Sequence, residues 1–178
     1  MYTENVRKID AHHMNAMLRT SFHRRPFICR ALLLTLAGLN TPPILRLKPQ
    51  HIHPHGEIIV RPPGRLGKQP SHWIKPPRVI HELLLLHRAI DFSTRDRFVP
   101  LTPQRLQSGV DHLLYENVFP WVHLDLRTGF PQWHDMVRDL RWELNHTDNW
   151  DSLQPSRILG PDYAWARGLM KRNFPGYR

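Results

Sequence analysis

The chain has 178 residues, room for one ordinary domain with extensions. Hydrophobic residues make up 40% and charged residues 22%, which excludes both a membrane bundle and a charge-rich disordered tail. A single cysteine, Cys29, excludes an internal disulfide and a cysteine-based zinc site, while a net charge of +10 points towards polyanionic partners.

That charge is unevenly placed. Residues 1–89 carry 14 Lys/Arg against 4 Asp/Glu, and residues 90–178 carry 11 of each. Arginine outnumbers lysine 20 to 5. No acid occurs between Asp10 and Glu57. The pattern describes a basic arm or face attached to a neutral body.

Residues 1–40 read as a basic helical N-terminal arm. Thr3-Glu4 suits a helix start, and Val6, Ile9, His13 and Met17 recur at helical spacing. A second helix is expected from Pro26, a favourable first position, through Phe27 to Leu39. Gly38 and Asn40 suit its end, and Pro42-Pro43 blocks continuation. The apolar run Ala31 to Leu39 is far shorter than the ~20 residues a bilayer span needs. Met17 to Arg25 is Arg-bearing, Ser/Thr-bearing and acid-free, like a mitochondrial presequence; Arg24 and Arg25 are candidate RNA contacts. The reading is an arm that directs import, is retained and then becomes structural, which places the protein on the matrix side of the mitochondrion.

Residues 41–78 read as a Pro/Arg/His-rich extended strap. Nine prolines fall within residues 41–80, and each constrains its own φ and the residue before it. A short strand is expected near Glu57 to Val60. Arg46, Lys48, Arg61, Arg65, Lys68, Lys75 and Arg78 are spaced to follow a phosphate backbone. Trp73 and the histidines of the strap offer rings for unpaired bases, which RNA supplies more readily than duplex DNA.

The strap also holds His51-Ile-His53-Pro-His55-Gly-Glu57, followed after six intervening residues by Gly64. This spacing resembles the first metal-binding motif of the cupin family. The resemblance implies a small β-barrel, with His51, His53 and Glu57 as metal ligands. Leu45 stands where that motif has glycine, and the family's second motif is absent. Gly56 to Gly64 is also similar to a nine-residue stretch of a bacterial-type large-subunit ribosomal protein.

Residues 79–178 read as a small helical body with aromatic loops, so the whole chain is expected to be mostly α, its short helices irregularly packed. Val79 to Ala89 contains Leu83-Leu84-Leu85-Leu86, apolar on all sides and hence buried. A turn follows at Ser93-Thr94. Thr102-Pro103 is a cap and first-turn proline for a helix to Asn117, with Leu106, Val110, Leu113, Leu114 and Val118 inward. Gly129 and Pro131 open a helix to Asn145 with Trp133, Val137, Leu140 and Leu144 on one face. A last helix follows Gly160-Pro161, with Trp165 and Leu169 inward, and the tail from Lys171 is basic and aromatic. Six tryptophans, all from Trp73 onward, are expected to anchor the packing.

No phosphate-binding glycine loop or G-x-S-x-G elbow is present. Cys29 reads as a buried thiol, His134-Asp135 are adjacent and do not face each other on a helix, and His146-x-Asp148 suits a turn. His81 and His87 flank the leucine block.

The chain therefore reads as a non-enzymatic subunit without cofactor, metal or transmembrane segment. The expected role is structural, in a mitochondrial ribosome, with ribosomal RNA on the basic segment and neighbouring proteins on the helical body. A peripheral accessory subunit of a respiratory or ATP synthase complex is the alternative, and a cupin-like metal-binding protein the third reading.

Overall fold

Asp10 starts the first helix: its carboxylate accepts from the His13 N–H at 2.8 Å, as an N-cap does. In the computed structural model, which describes residues 8–60, 72–91, 96–117, 133–147 and 150–177, this helix, α1, is Ala11–Arg24. The expected start at Thr3-Glu4 and the residue Val6 lie outside the described residues. Met14, Met17, Leu18, Ser21 and Phe22 are buried, a stripe at spacings of three and four. Arg25 precedes a proline and leaves the helical region, so α1 ends there and α2, Pro26–Leu36, starts at once.

Helix α2 is buried on every side from Ile28 to Leu36. Each of its core leucines contributes about 2 kcal/mol of transfer free energy relative to exposure. Gly38 takes φ 110°, the Leu39 N–H donates to Leu34 O at 3.0 Å and the Gly38 N–H to Thr35 O at 3.0 Å. This is a Schellman ending, which needs a residue tolerant of positive φ.

The proline segment is shaped by its apolar residues. Pro42 and Pro43 occupy the first turn of α3, Thr41–Arg46, and Ile44, Leu45 and Leu47 enter the core. A 3₁₀ turn at Pro49–His51 leads to β1, Ile58–Val60, which pairs antiparallel with β2, His72–Ile74. Ile58 lies opposite Ile74, Ile59 opposite Trp73 and Val60 opposite His72. Ile58 and Val60 point into the core.

Helix α4, Arg78–Ile90, buries all four leucines of its block together with His81 and His87. Helix α5, Pro103–Asn117, has the expected limits, and Thr102 Oγ1 accepts from the Arg105 N–H at 3.2 Å. Leu106, Val110, Leu113 and Leu114 are buried. The next helical stretch is broken at Val137 into α6, Trp133–Met136, and α7, Arg138–His146. Then come α8, Pro155–Leu159, and α9, Tyr163–Asn173. Ser93-Thr94, Val118, Trp121, Gly129, Pro131 and Asp148 lie outside the described residues.

The fold is mostly α, and among the described residues no helix is long and apolar enough to cross a membrane. Three expectations need correction. Residues 8–40 do not stand apart as an arm: α1 and α2 pack against α4, α5, α7 and α8 and supply much of the one hydrophobic core. A helix as apolar as α2 has no other favourable place. On α9 the inward residues are Ala166 and Met170, with Leu169 half-buried, whereas Trp165 is 54% exposed. Contact with α4 through Glu82 to Tyr163 and Ala89 to Asn173 sets that rotation. Of the described tryptophans Trp133 is buried and Trp150 half-buried, but Trp73 and Trp142, like Trp165, are surface residues, 51% and 62% exposed.

Candidate nucleic-acid interface

The described residues include a buried Cys–His contact and an open basic cleft. Cys29 Sγ lies 3.3 Å from His87 Nε2, and Arg30 Nε donates to His87 Nδ1 at 3.5 Å. The imidazole therefore carries its proton on Nε2 and donates to sulfur, while the thiol points at Leu18 O, 3.9 Å away. Burial pushes the Cys29 thiol up to about 12, and burial with the Arg30 charge holds His87 well below the ordinary histidine value. Thiol and imidazole are both neutral and closed to solvent, which makes the pair part of the core.

Arg30 itself is buried. Nη1 donates to Phe98 O at 3.0 Å and Nη2 to Asp91 Oδ2 at 3.1 Å. Its guanidinium lies 5.1 Å from the Phe27 ring and 4.6 Å from that of Phe98.

The cleft is assembled from three distant parts of the chain. One wall is the turn Pro54–Gly56, in which Gly56 has φ 101°. The second is Lys75 and Pro76 with the first turn of α4, Arg78 and His81. The third is the tail, Gly176 and Tyr177. Helix α4 holds the other two: Arg88 Nη1 donates to Ile52 O at 2.7 Å and its guanidinium covers Phe174 at 4.7 Å. His81 Nε2 donates to His53 O at 2.6 Å. Burial lowers the His81 pKa, so the ring is neutral near pH 7.

No carboxylate lines this cleft among the described residues. Glu82, next along α4, accepts from Tyr163 Oη at 3.4 Å and lies 3.9 Å from Arg167 Nη1, and its charge also acts on the cleft residues Arg78 and Tyr177. The first turn of α4 has no side-chain cap, so its free N–H groups add positive potential beside Lys75 and Arg78. Trp73 stands exposed on β2, its ring 5.6 Å from that of His53, which is 5.1 Å from that of His55.

Of the residues picked from sequence, Lys75 and Arg78 line the cleft, and Trp73 is exposed on β2 two residues before Lys75. Arg24, Arg46 and Lys48 are exposed but do not line the cleft. Arg25 approaches Glu116 at 3.7 Å, and Arg46 Nε donates to Pro42 O at 3.2 Å. Arg61, Arg65 and Lys68 lie outside the described residues. His55 is one of the strap histidines expected to stack on bases and it does line the cleft, whereas His81 and Tyr177 were not foreseen as site residues; the three meet across 26 to 122 positions of sequence, and no local motif announces such a meeting.

In place of the barrel implied by the cupin resemblance, the described residues form a two-stranded sheet in a helical fold. His51 lies in a 3₁₀ turn started by Pro49, and its Nδ1 accepts from the Lys48 N–H at 3.1 Å. His53 Nδ1 accepts from the His55 N–H at 3.4 Å. Among the described residues no three His, Cys, Asp or Glu side chains are grouped to hold a metal. No protein-family model, curated protein or solved structure matches the chain.

Proposed function

We propose that the protein is a structural accessory subunit of a mitochondrial ribosome, and that it contacts ribosomal RNA through the β1–β2 hairpin and the cleft beside it. The observation that carries this reading is a cleft lined by Lys75 and Arg78 with no carboxylate in its lining among the described residues, and an exposed Trp73 two residues before Lys75. Cations meet phosphates there, and the indole face suits an unpaired base. The remaining strap arginines, Arg46, Arg61 and Arg65, follow in the same basic half of the sequence. The presequence-like composition of residues 17–25 supports the mitochondrial matrix.

Trp142 and Trp165, 62% and 54% exposed, suit protein neighbours in a large assembly. They serve equally a peripheral subunit of a respiratory or ATP synthase complex, which is the rival reading. Sedimentation of tagged protein from mitochondrial lysate separates the two. The proposal expects co-sedimentation with ribosomal RNA, weakened by salt. Replacing Arg46, Arg61, Arg65 and Arg78 with glutamine flattens the log–log salt slope by up to about 0.7 for each phosphate no longer neutralised. Wild-type protein that follows an inner-membrane complex instead establishes the rival.

A further inference from the structure

The cleft has a volume of about 390 Å³. Small-molecule sites span about 300–1,000 Å³, so this one admits a single small ligand and excludes a double helix. Its chemistry is divided. Lys75, Arg78 and the uncapped first turn of α4 form a cationic part. His55, His81 and Tyr177 form a part made of rings.

We propose that the cleft takes one unpaired nucleotide of the bound RNA, its phosphate against Lys75 and Arg78 and its base among His55, His81 and Tyr177. This inference rests on the RNA reading above and names what enters the site. The His81 and Tyr177 rings are inclined by only 30° with centroids 6.2 Å apart. They are fixed from outside the cleft, His81 by its bond to His53 O and the tail by Phe174 under Arg88. Fixed rings lose little freedom on stacking, which favours a base over a flexible acyl chain. The cations offer donors only, as a phosphate requires. A ligand that is anionic at one end and flat at the other satisfies both parts. A nucleotide has that form, and the neighbouring Trp73 offers a second platform for the next base along the strand.

The test is direct binding to the full-length protein, read by fluorescence anisotropy of a labelled eight-residue single-stranded RNA. Competitors are a free 5′-mononucleotide, the matching nucleoside and inorganic phosphate. The mononucleotide is expected to displace the RNA, and nucleoside and phosphate to fail at the same concentration. Tyr177→Ala is expected to weaken RNA binding about ten-fold, the scale of a single base–aromatic stack, and Tyr177→Phe to leave it near wild type. Lys75→Gln with Arg78→Gln is expected to lower the salt slope by up to about 1.4. RNA binding that none of these variants changes overturns the cleft assignment while leaving RNA binding by the strap intact. Inorganic phosphate competing as well as the mononucleotide overturns the base contact. A free mononucleotide binding more tightly than the RNA overturns the RNA origin of the ligand. Absence of any RNA binding removes the proposed function itself.

Discussion

Lowering the pH from 7.0 to 5.5 is expected to destabilise the protein through its buried histidines. His87 is closed to solvent and accepts from Arg30 Nε, so taking up a proton costs both burial and a hydrogen bond. Its folded-state pKa lies well below 6.5, the value an unfolded histidine keeps. Above 6.5 neither state binds the proton and stability is complete. As pH falls below 6.5 the unfolded chain takes up a proton that the folded chain refuses, and stability falls. Integrated from pH 7.0 to 5.5, one such histidine costs about 1 kcal/mol. His81, also buried and lowered in the same direction, adds up to about as much, for a total of roughly 1–2 kcal/mol. Glu82, whose pKa is raised by burial, acts with the opposite sign at lower pH, so the window stops at 5.5. Urea unfolding followed by far-UV circular dichroism at both pH values measures the effect. With a slope of about 2.5 kcal/mol per molar, the midpoint drops by about 0.4–0.8 M. A midpoint that is unchanged or rises on acidification refutes the assignment of neutral, buried imidazoles.

Three further outcomes follow from the packing. Arg30→Met keeps the side-chain volume but leaves Phe98 O and His87 Nδ1 without a donor, and is expected to cost about 3 kcal/mol in chemical denaturation; a neutral result means that Arg30 is not the buried hub of this network. Gly109 sits where an added Cβ would come within 2.7 Å of Ile28 Cγ1, so Gly109→Val is expected to lose about 1–3 kcal/mol, with a lower thermal midpoint. A chain started at residue 37, as removal of a presequence would leave it, lacks α1 and α2 and is expected to show neither a cooperative thermal transition nor protection from limited proteolysis.

Local chemistry was legible in the sequence wherever a single turn or cap decides. Thr102-Pro103 marks the start of α5 and Asn117 its end. Pro26 opens α2, and Gly38 closes it because only a residue comfortable at positive φ completes that ending. The leucine block of α4 is buried because it leaves no polar face to turn outward. The face of α9 was not legible: Ala166, Met170 and Trp165 all suit a small helix, and only the position of α4 chose between them.

The candidate site divides in the same way. Composition alone determined that the positive charge lies in the first half of the chain, and the residue types Trp73, Lys75 and Arg78 pointed to a nucleic-acid surface. Which cations are free for a partner was decided by the tertiary structure. Arg30 is spent inside the core on Asp91 and Phe98, Arg88 on Ile52 and Phe174, and Arg25 approaches Glu116. Lys75 and Arg78 line a cleft with no carboxylate in its walls among the described residues, although the Glu82 charge reaches Arg78, and the third wall is a tail nearly a hundred residues further along. A sequence shows where charges occur along a chain, but the field at a surface depends on which of them have met a partner. Those meetings are long-range contacts, made when the core formed by α1, α2 and α4 brings the pieces together.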